Sequence, residues 1–197
     1  MRANIREWSY WWNEWVKPIL IAAVLALFIR TFIIQPFKIP SNSMYPTLKP
    51  GDRIFVSKFI YGAKIPFTDL KLPEVREPRT GDIVVFVSPV EKKKYLVKRY
   101  IAGEGQSVEI VDGKVYIDGK KVEGPPMNRF FYYNHGDYGA QGEKILVPKD
   151  SFYVLGDNSA NSMDSRYWGF VPEKNLAGRA FLIHWPINRI RMLKEGE

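Results

Sequence analysis

An unbroken apolar run close to the start of the chain limits its possible folds more sharply than any other stretch. Pro18 to Ile29 reads PILIAAVLALFI, and after Arg30 and Thr31 the run resumes as Phe32-Ile33-Ile34. Its length is near the short end of the ~17–25 residues that cross a bilayer as a helix. Arg30 lies close to one end, where a long side chain can snorkel to headgroups. Upstream, Trp8, Trp11, Trp12 and Trp15 recur at i, i+3, i+4 and i+7, the spacing of a helix held at headgroup level by its indoles. A cleaved export leader would need a short basic start and a small-x-small site, whereas Gln35-Pro36-Phe37-Lys38 offers none. A buried core helix would leave the Trp stripe hard to place. The expectation is therefore a Trp-rich interfacial segment over 1–17, an uncleaved transmembrane anchor over 18–35, and a separate domain over 36–197. Charge does not orient the span, because Arg2, Arg6 and Lys17 precede it while Arg30, Lys38, Lys49 and Arg53 follow.

From Phe37 onward the chain reads as β. Arg53–Phe59, Asp82–Val87, Tyr95–Ile101, Ser107–Val111, Lys114–Ile117, Lys144–Val147, Ser151–Leu155 and Ala177–Trp185 are short runs rich in Val, Ile, Phe and Tyr. Asp112-Gly113 and Asp118-Gly119 are two-residue hairpin signals, so Ser107–Val122 is expected to form a meander. Two long connections interrupt the pattern, 61–81 rich in Pro and Lys, and 124–143 rich in Gly and aromatics; loops of that length tend to be functional. Lys92-Lys93-Lys94 suits a solvated turn between strands. The predicted fold is mostly β, an antiparallel, barrel-like domain behind an N-terminal transmembrane helix.

Composition excludes several chemistries. With 29 Lys+Arg against 21 Asp+Glu the net charge is +8, which favours anionic surfaces, either nucleic acid or lipid headgroups. The chain has no Cys, and so neither disulfides nor a thiol nucleophile. Its two histidines, His135 and His184, belong to no zinc-ligating motif. The stretch from Asp157 to Trp168 resembles a Ca²⁺ loop, yet has Ser162 where Gly is needed and Trp168 where a bidentate Glu is needed. Neither a phosphate-cradling Gly-rich loop nor a G-x-S-x-G elbow occurs. What remains for activating a serine is a lysine.

Three segments supply candidates. In Ile39-Pro40-Ser41-Asn42-Ser43-Met44-Tyr45-Pro46, two prolines stiffen the backbone around two hydroxyls. Alone, this also suits an ordinary turn or helix cap. In Tyr95-Leu96-Val97-Lys98-Arg99, neighbouring side chains point to opposite faces of a strand, so one cation would point inward. Lys tolerates that place, because a buried ammonium can shed its proton and a guanidinium cannot; an edge strand with both cations wet is the other reading. The segment from Gly156 to Phe170 is dense in short hydrogen-bonding side chains, allows an Asp164–Arg166 ion pair, and is expected to bury Tyr167 and Trp168 beneath it. An ordinary polar loop is its plainer reading.

In combination these segments resemble the type I signal peptidases. Pro40 to Leu48 matches the family's P-S-x-S-M-x-P-T-L pattern. Gly51-Asp52-Arg53, Arg79 to Phe86, Lys98-Arg99 and Gly156 to Gly169 are similar to its other boxes. The chain departs from many members at Ala102-Gly103-Glu104-Gly105-Gln106, and at Leu96, where some relatives carry Tyr. The resemblance implies Ser43 as nucleophile, Lys98 as general base, Ser41 and the Ser43 N–H as oxyanion donors, Ser162 orienting the amine, and Asp164 with Arg166 bracing that loop. It also implies that Phe37, Ile39, Pro40, Met44, Leu96 and Val97 line pockets for small side chains. The expected activity is a serine endopeptidase that cleaves precursors after small-x-small sites, without cofactor or metal. Its partners would be signal-peptide-bearing precursors and membrane lipid, not nucleic acid. A single-pass protein of the cell membrane, with the catalytic domain on the extracytoplasmic face, completes the expectation. The physics agrees: lysine at its reference pKa of ~10.4 is protonated near neutrality, and lowering it by ~2 units stores ~2.7 kcal/mol, which burial can impose.

Two rivals share parts of this pattern. A self-cleaving repressor with the same dyad would need an N-terminal DNA-binding helix-turn-helix, where this chain has Trp and an apolar span. A membrane-tethered binding module with a basic face explains the charge and the span, but not two serine loops joined to Lys98.

Overall fold

The computed structural model describes Trp8, residues 10–62 and residues 73–194. Residues 1–7 of the Trp-rich segment and residues 63–72 of the expected loop 61–81 lie outside the described residues. The N-terminal helical stretch is divided into three: a π turn over Trp12–Val16, helix α1 over Lys17–Phe28, and a second π turn over Ile29–Ile33. Among the described residues no helix is long and apolar enough to cross a membrane. Ile19, Leu20, Ile21, Val24, Leu25, Leu27 and Phe28 all stand exposed, as do Trp8, Trp11, Trp12 and Trp15. A helix that is apolar all round is ordinarily buried in protein or lipid, and here no other part of the described chain covers it.

The apolar run outlasts the helix. Ile34–Lys38 forms strand β1, paired antiparallel with β2 (Arg53–Ser57) in the register Ile34↔Ser57 to Lys38↔Arg53. Residues 34 and 35, expected in the anchor, thus belong to the sheet. Their backbone groups find partners in β2, and Ile33 closes the joint by accepting from the Lys58 N–H at 3.0 Å.

The remaining strands are β3 (Ile83–Val87), β4 (Tyr95–Ala102), β5 (Ser107–Val111), β6 (Lys114–Ile117), β7 (Lys120–Lys121), β8 (Ile145–Leu146), β9 (Ser151–Leu155), β10 (Val171–Pro172), β11 (Leu176–Trp185) and β12 (Arg191–Met192). The main sheet runs β1-β2-β11-β3-β4-β9-β10, with β12 beside β11, and the pairings are antiparallel. Three strands separate β1 from β4 in that order, so a flat sheet would hold them ~19 Å apart at ~4.8 Å per strand. Instead the Phe37 and Tyr95 rings lie 5.2 Å apart. The sheet is therefore curled into a half-barrel, aided by bulges in β11 and β4 that sharpen its coil.

In the smaller sheet, β7-β6-β5-β8, strands β5 to β7 form the expected meander and β8 adds to it beside β5. Both hairpins turn on the Asp-Gly pairs, whose residues all have positive φ: Asp112 48°, Gly113 73°, Asp118 52° and Gly119 75°. Three apolar clusters fill the interior. One, beneath β1, β2 and β11, holds Met44, Leu48, Ile54 and Ile183; a second joins the two sheets through Ile101, Val108, Tyr132 and Tyr153; a third packs Phe86, Phe152 and Val154.

Candidate active site

Beyond β1 the chain turns sharply over residues 41–48. Met44 and Leu48 are 1% and 0% exposed and act as apolar pins. The Leu48 N–H donates to the Met44 carbonyl at 2.8 Å, and Ile39 exchanges backbone bonds with Asp52 and Gly51. With its flanks fixed, the turn holds Ser41 exposed and Ser43 half-buried, their Oγ atoms 3.4 Å apart.

Strand β4 brings the lysine. Lys98 pairs with Val84 of β3, is 3% exposed, and donates from Nζ to Ser162 Oγ at 2.8 Å. Burial is the main force on this amine and pulls its pKa down to about 8; Arg166 pushes the same way, while the Asp164 and Asp157 carboxylates resist. No hydrogen bond joins Lys98 to Ser43 among the described residues.

Lys98 and Arg99 point to opposite faces, as alternation requires, but both are buried, Arg99 at 0% exposure. The expectation that only a lysine could be tolerated inside is corrected by Asp157. Arg99 donates to it twice, from Nε to Oδ1 at 2.7 Å and from Nη2 to Oδ2 at 2.6 Å. Thr47 Oγ1 donates to the same carboxylate at 2.5 Å. A bidentate pair of this kind compensates a charge that cannot be shed. Asp157 consequently ties the strand that carries Lys98 to the serine turn, and the neighbouring Asn158 holds that turn too, donating from N to the Ser43 carbonyl (3.0 Å) and from Nδ2 to the Asn42 carbonyl (3.1 Å).

The 156–168 loop is rigid for equally local reasons. Asp164 caps the short helix α2 (Ser165–Trp168) and receives two bonds from the Arg166 guanidinium, at 2.8 and 2.9 Å. The remaining Arg166 donors go to Tyr133 O, Ser159 Oγ and Ser159 O at 2.6 to 2.8 Å. Gly156 donates to Asp164 Oδ2 at 2.9 Å and sits where a Cβ would strike Ser162 Oγ and approach the Ser43 carbonyl oxygen to 2.6 Å. Tyr167 is not buried as expected: it is 39% exposed on the site's wall, while Trp168 packs against the third cluster.

These elements enclose a cleft of about 940 Å³ between β1 and β4. Ser41, Ser43 and Lys98 line it together with Phe37, Ile39, Pro40, Met44, Leu96 and Val97, all nine singled out in the sequence. Ser162, Asp164 and Arg166 stand behind the wall, Ser162 touching Lys98 and the other two holding the loop. Tyr95, Met163, Tyr167 and Trp168 also line the cleft and were not anticipated. Nor were the framework roles of Thr47, Arg99, Asp157 and Asn158. The aromatic loop 124–143 has a defined task too. Its Tyr133 carbonyl accepts from Arg166, and its Tyr138 N–H donates to the Arg166 carbonyl at 2.9 Å, so it clasps the 156–168 loop from outside.

Comparison with known proteins bears on what this cleft does. The sequence model of a family described as "Signal peptidase, peptidase S26" matches residues 12–185. The chain is 40% identical to a signal peptidase I of Leptolyngbya laminosa over 90% of its own length and 81% of the relative's. It is 36% identical to signal peptidase I T of Bacillus subtilis (strain 168), covering 92% and 89% of the two chains. Among solved structures, a signal peptidase I from Enterococcus faecalis V583 is similar over 54% of this chain and 98% of its own, at 28% identity and a TM-score of 0.44.

Proposed function

The chain belongs to the signal peptidase family, peptidase S26, and as a serine endopeptidase acting on signal peptides it needs an activated hydroxyl; we propose that Ser43 supplies it and that Lys98 is the general base. One observation carries the assignment: an almost fully buried lysine, its pKa lowered to about 8, shares a cleft with a serine on a pinned turn. An amine with that pKa is about one-tenth neutral at pH 7, against ~1 in 2,500 for lysine at its reference value.

The neutral Lys98 amine takes the Ser43 Oγ proton as that oxygen attacks the scissile carbonyl. Negative charge then builds on the carbonyl oxygen, where the Ser41 hydroxyl and the Ser43 N–H donate to it. The C–N bond breaks as the Lys98 ammonium passes its proton to the departing amine, leaving the signal peptide esterified to Ser43. The amine, neutral again, takes a proton from water as the water oxygen attacks the ester carbonyl; the bond to Ser43 Oγ then breaks, Lys98 returns that proton to Oγ, and the signal peptide leaves with a free carboxyl group. Ser162 accepts a hydrogen bond from Nζ and so orients the amine, whose lone pair closes on the Ser43 hydroxyl when substrate binds, since such bonds often tighten only in the complex.

Substrate lies extended in the cleft between β1 and β4, and small-x-small selectivity follows from the shallow apolar wall of Phe37, Ile39, Pro40, Met44, Leu96 and Val97. The uncovered apolar helix supports a membrane anchor that ends at Ile33, where β1 begins. Helix α1 alone rises about 18 Å, short of a ~30 Å hydrocarbon core, so the flanking π turns would complete the span. The reading is a single-pass protein with its domain, from β1 onward, on the extracytoplasmic face, where precursors emerge. Assaying purified Ser43→Ala on a precursor tests the whole: cleavage should vanish with the fold intact, and substantial turnover would remove Ser43 as nucleophile.

A further inference from the structure

We infer that Lys92 and Lys93, at the tip of the β3–β4 turn (residues 88–94) whose Ser88, Val90, Glu91 and Lys94 border the cleft, contact anionic phospholipid headgroups; this rests on the membrane-anchor reading above. The first argument is topological. Strand β1 leaves the end of the helical stretch at Ile34, and β2 returns antiparallel to that rim, ending beside it at Ser57. Strand β11 then starts from the rim, β3 returns to it, and β4 starts from it again, each pair being antiparallel. Asn175, just ahead of β11, confirms the alignment by donating to the carbonyl of Val87 at the end of β3, at 3.0 Å. The β3–β4 turn is therefore on the rim from which the helix departs.

The second argument is charge. The turn carries Glu91, Lys92, Lys93 and Lys94, all exposed. Glu91 is engaged by Lys94 at 2.7 Å, while Lys92 and Lys93 make no ion pair among the described residues. Two unneutralised cations thus project from the helix-side rim, the arrangement that an anionic leaflet attracts. Backbone geometry supplies an independent third argument. Lys93 sits at φ 72°, a left-handed conformation that Gly or Asn adopts more easily. Turn geometry alone would favour one of those residues, so the place is held for what the lysine side chain does.

The test reconstitutes the full chain in phosphatidylcholine vesicles with and without phosphatidylglycerol and follows cleavage of a precursor carried in the same vesicles. Phosphatidylglycerol should accelerate the wild type, and added salt should erase the gain. Lys93→Asn should lose about fivefold of that acceleration, and Lys92→Glu with Lys93→Glu should abolish it, since each lysine near such a surface contributes about that factor. In detergent all three should cleave at equal rates, and Lys93→Asn should melt no lower than the wild type. An acceleration that survives in the double Glu variant overturns the inference. So does a raised KM in detergent, which would assign the turn to substrate instead. Wild type that floats with both vesicles yet gains nothing from phosphatidylglycerol refutes the headgroup contact alone. Wild type that floats with neither refutes the anchor reading and the contact with it.

Discussion

Lys98→Met should abolish cleavage and yet make the protein more stable at pH 7. The amine's pKa falls from 10.5 to about 8 on folding, so the folded state binds its proton less tightly than the unfolded chain does. That difference of ~2.5 units costs ~3 kcal/mol, present in full well below pH 8, where both states are protonated. As pH rises from about 8 to 10.5 the folded amine is already neutral while the unfolded one is not, and the cost declines to nothing. Methionine keeps the apolar stem and removes the cost, but Ser162 loses the 2.8 Å bond from Nζ, a loss of ~1 kcal/mol. The net gain is ~2 kcal/mol at pH 7, or about 4–8 °C in Tm for a domain of this size. Thermal melts of wild type and variant in one detergent at pH 7 and pH 10.5 measure it. The gap should be wide at pH 7, and at pH 10.5 it should close or reverse. A variant no more stable than wild type at pH 7, or a gap that does not change with pH, would refute the claim that burial depresses this amine.

With Lys98 as the base, kcat/KM should fall tenfold per unit below about pH 8; an acid limb near 10 would show that burial does not depress this amine, and a profile flat down to pH 6 would exclude Lys98 as base. Ser41→Ala should lower kcat by ~10²–10³ with little change in KM, because its bond forms in the transition state; a defect confined to KM would make Ser41 a substrate-positioning residue. Gly156→Ala should cut kcat sharply in a folded protein, since its Cβ would displace Ser162 and crowd the Ser43 carbonyl, and full activity would show that the loop yields there. Asp157→Asn should cost ~3–5 kcal/mol in urea unfolding by leaving Arg99 buried without its counter-charge. A loss below ~1 kcal/mol would mean that Arg99 finds another partner.

What could be read from sequence follows how local each cause is. Asp112-Gly113 and Asp118-Gly119 fix their hairpins by their own backbone preferences, and β5, β6 and β9 fall at the expected residues. Strand β1 was hidden because Ile34 continues an apolar run, and only the register with Arg53–Ser57 makes it a strand. The two-residue strands β10 and β12 were missed for a related reason. Each depends on a neighbour already in place and has too few residues to show a period. The curl of the sheet lies further still from the sequence, since it brings Tyr95 against Phe37 across three intervening strands.

The site divides along the same line, and Lys98 and Arg99 show why. Alternation along one strand predicts that they part, but not that both are buried, since that depends on which partners await on each face. On Arg99's side, Asp157 arrives from a loop 58 residues away with a fully matched carboxylate, and a permanent charge is held with little strain. On Lys98's side the nearest partner is only a hydroxyl, and the acids that pull its pKa up are outweighed by burial. The framework and the chemistry thus need opposite solutions to one problem, a cation out of water. Where the charge is paired it locks the strand to the serine turn through Asp157 and Thr47. Where it is left poorly paired, the cheapest response is to release a proton, which is the property a general base requires. Exchanging the two residues would therefore fail twice: guanidinium in the cleft could not act as a base, and an ammonium against Asp157 would give up the two-point hold on the turn that carries Ser43.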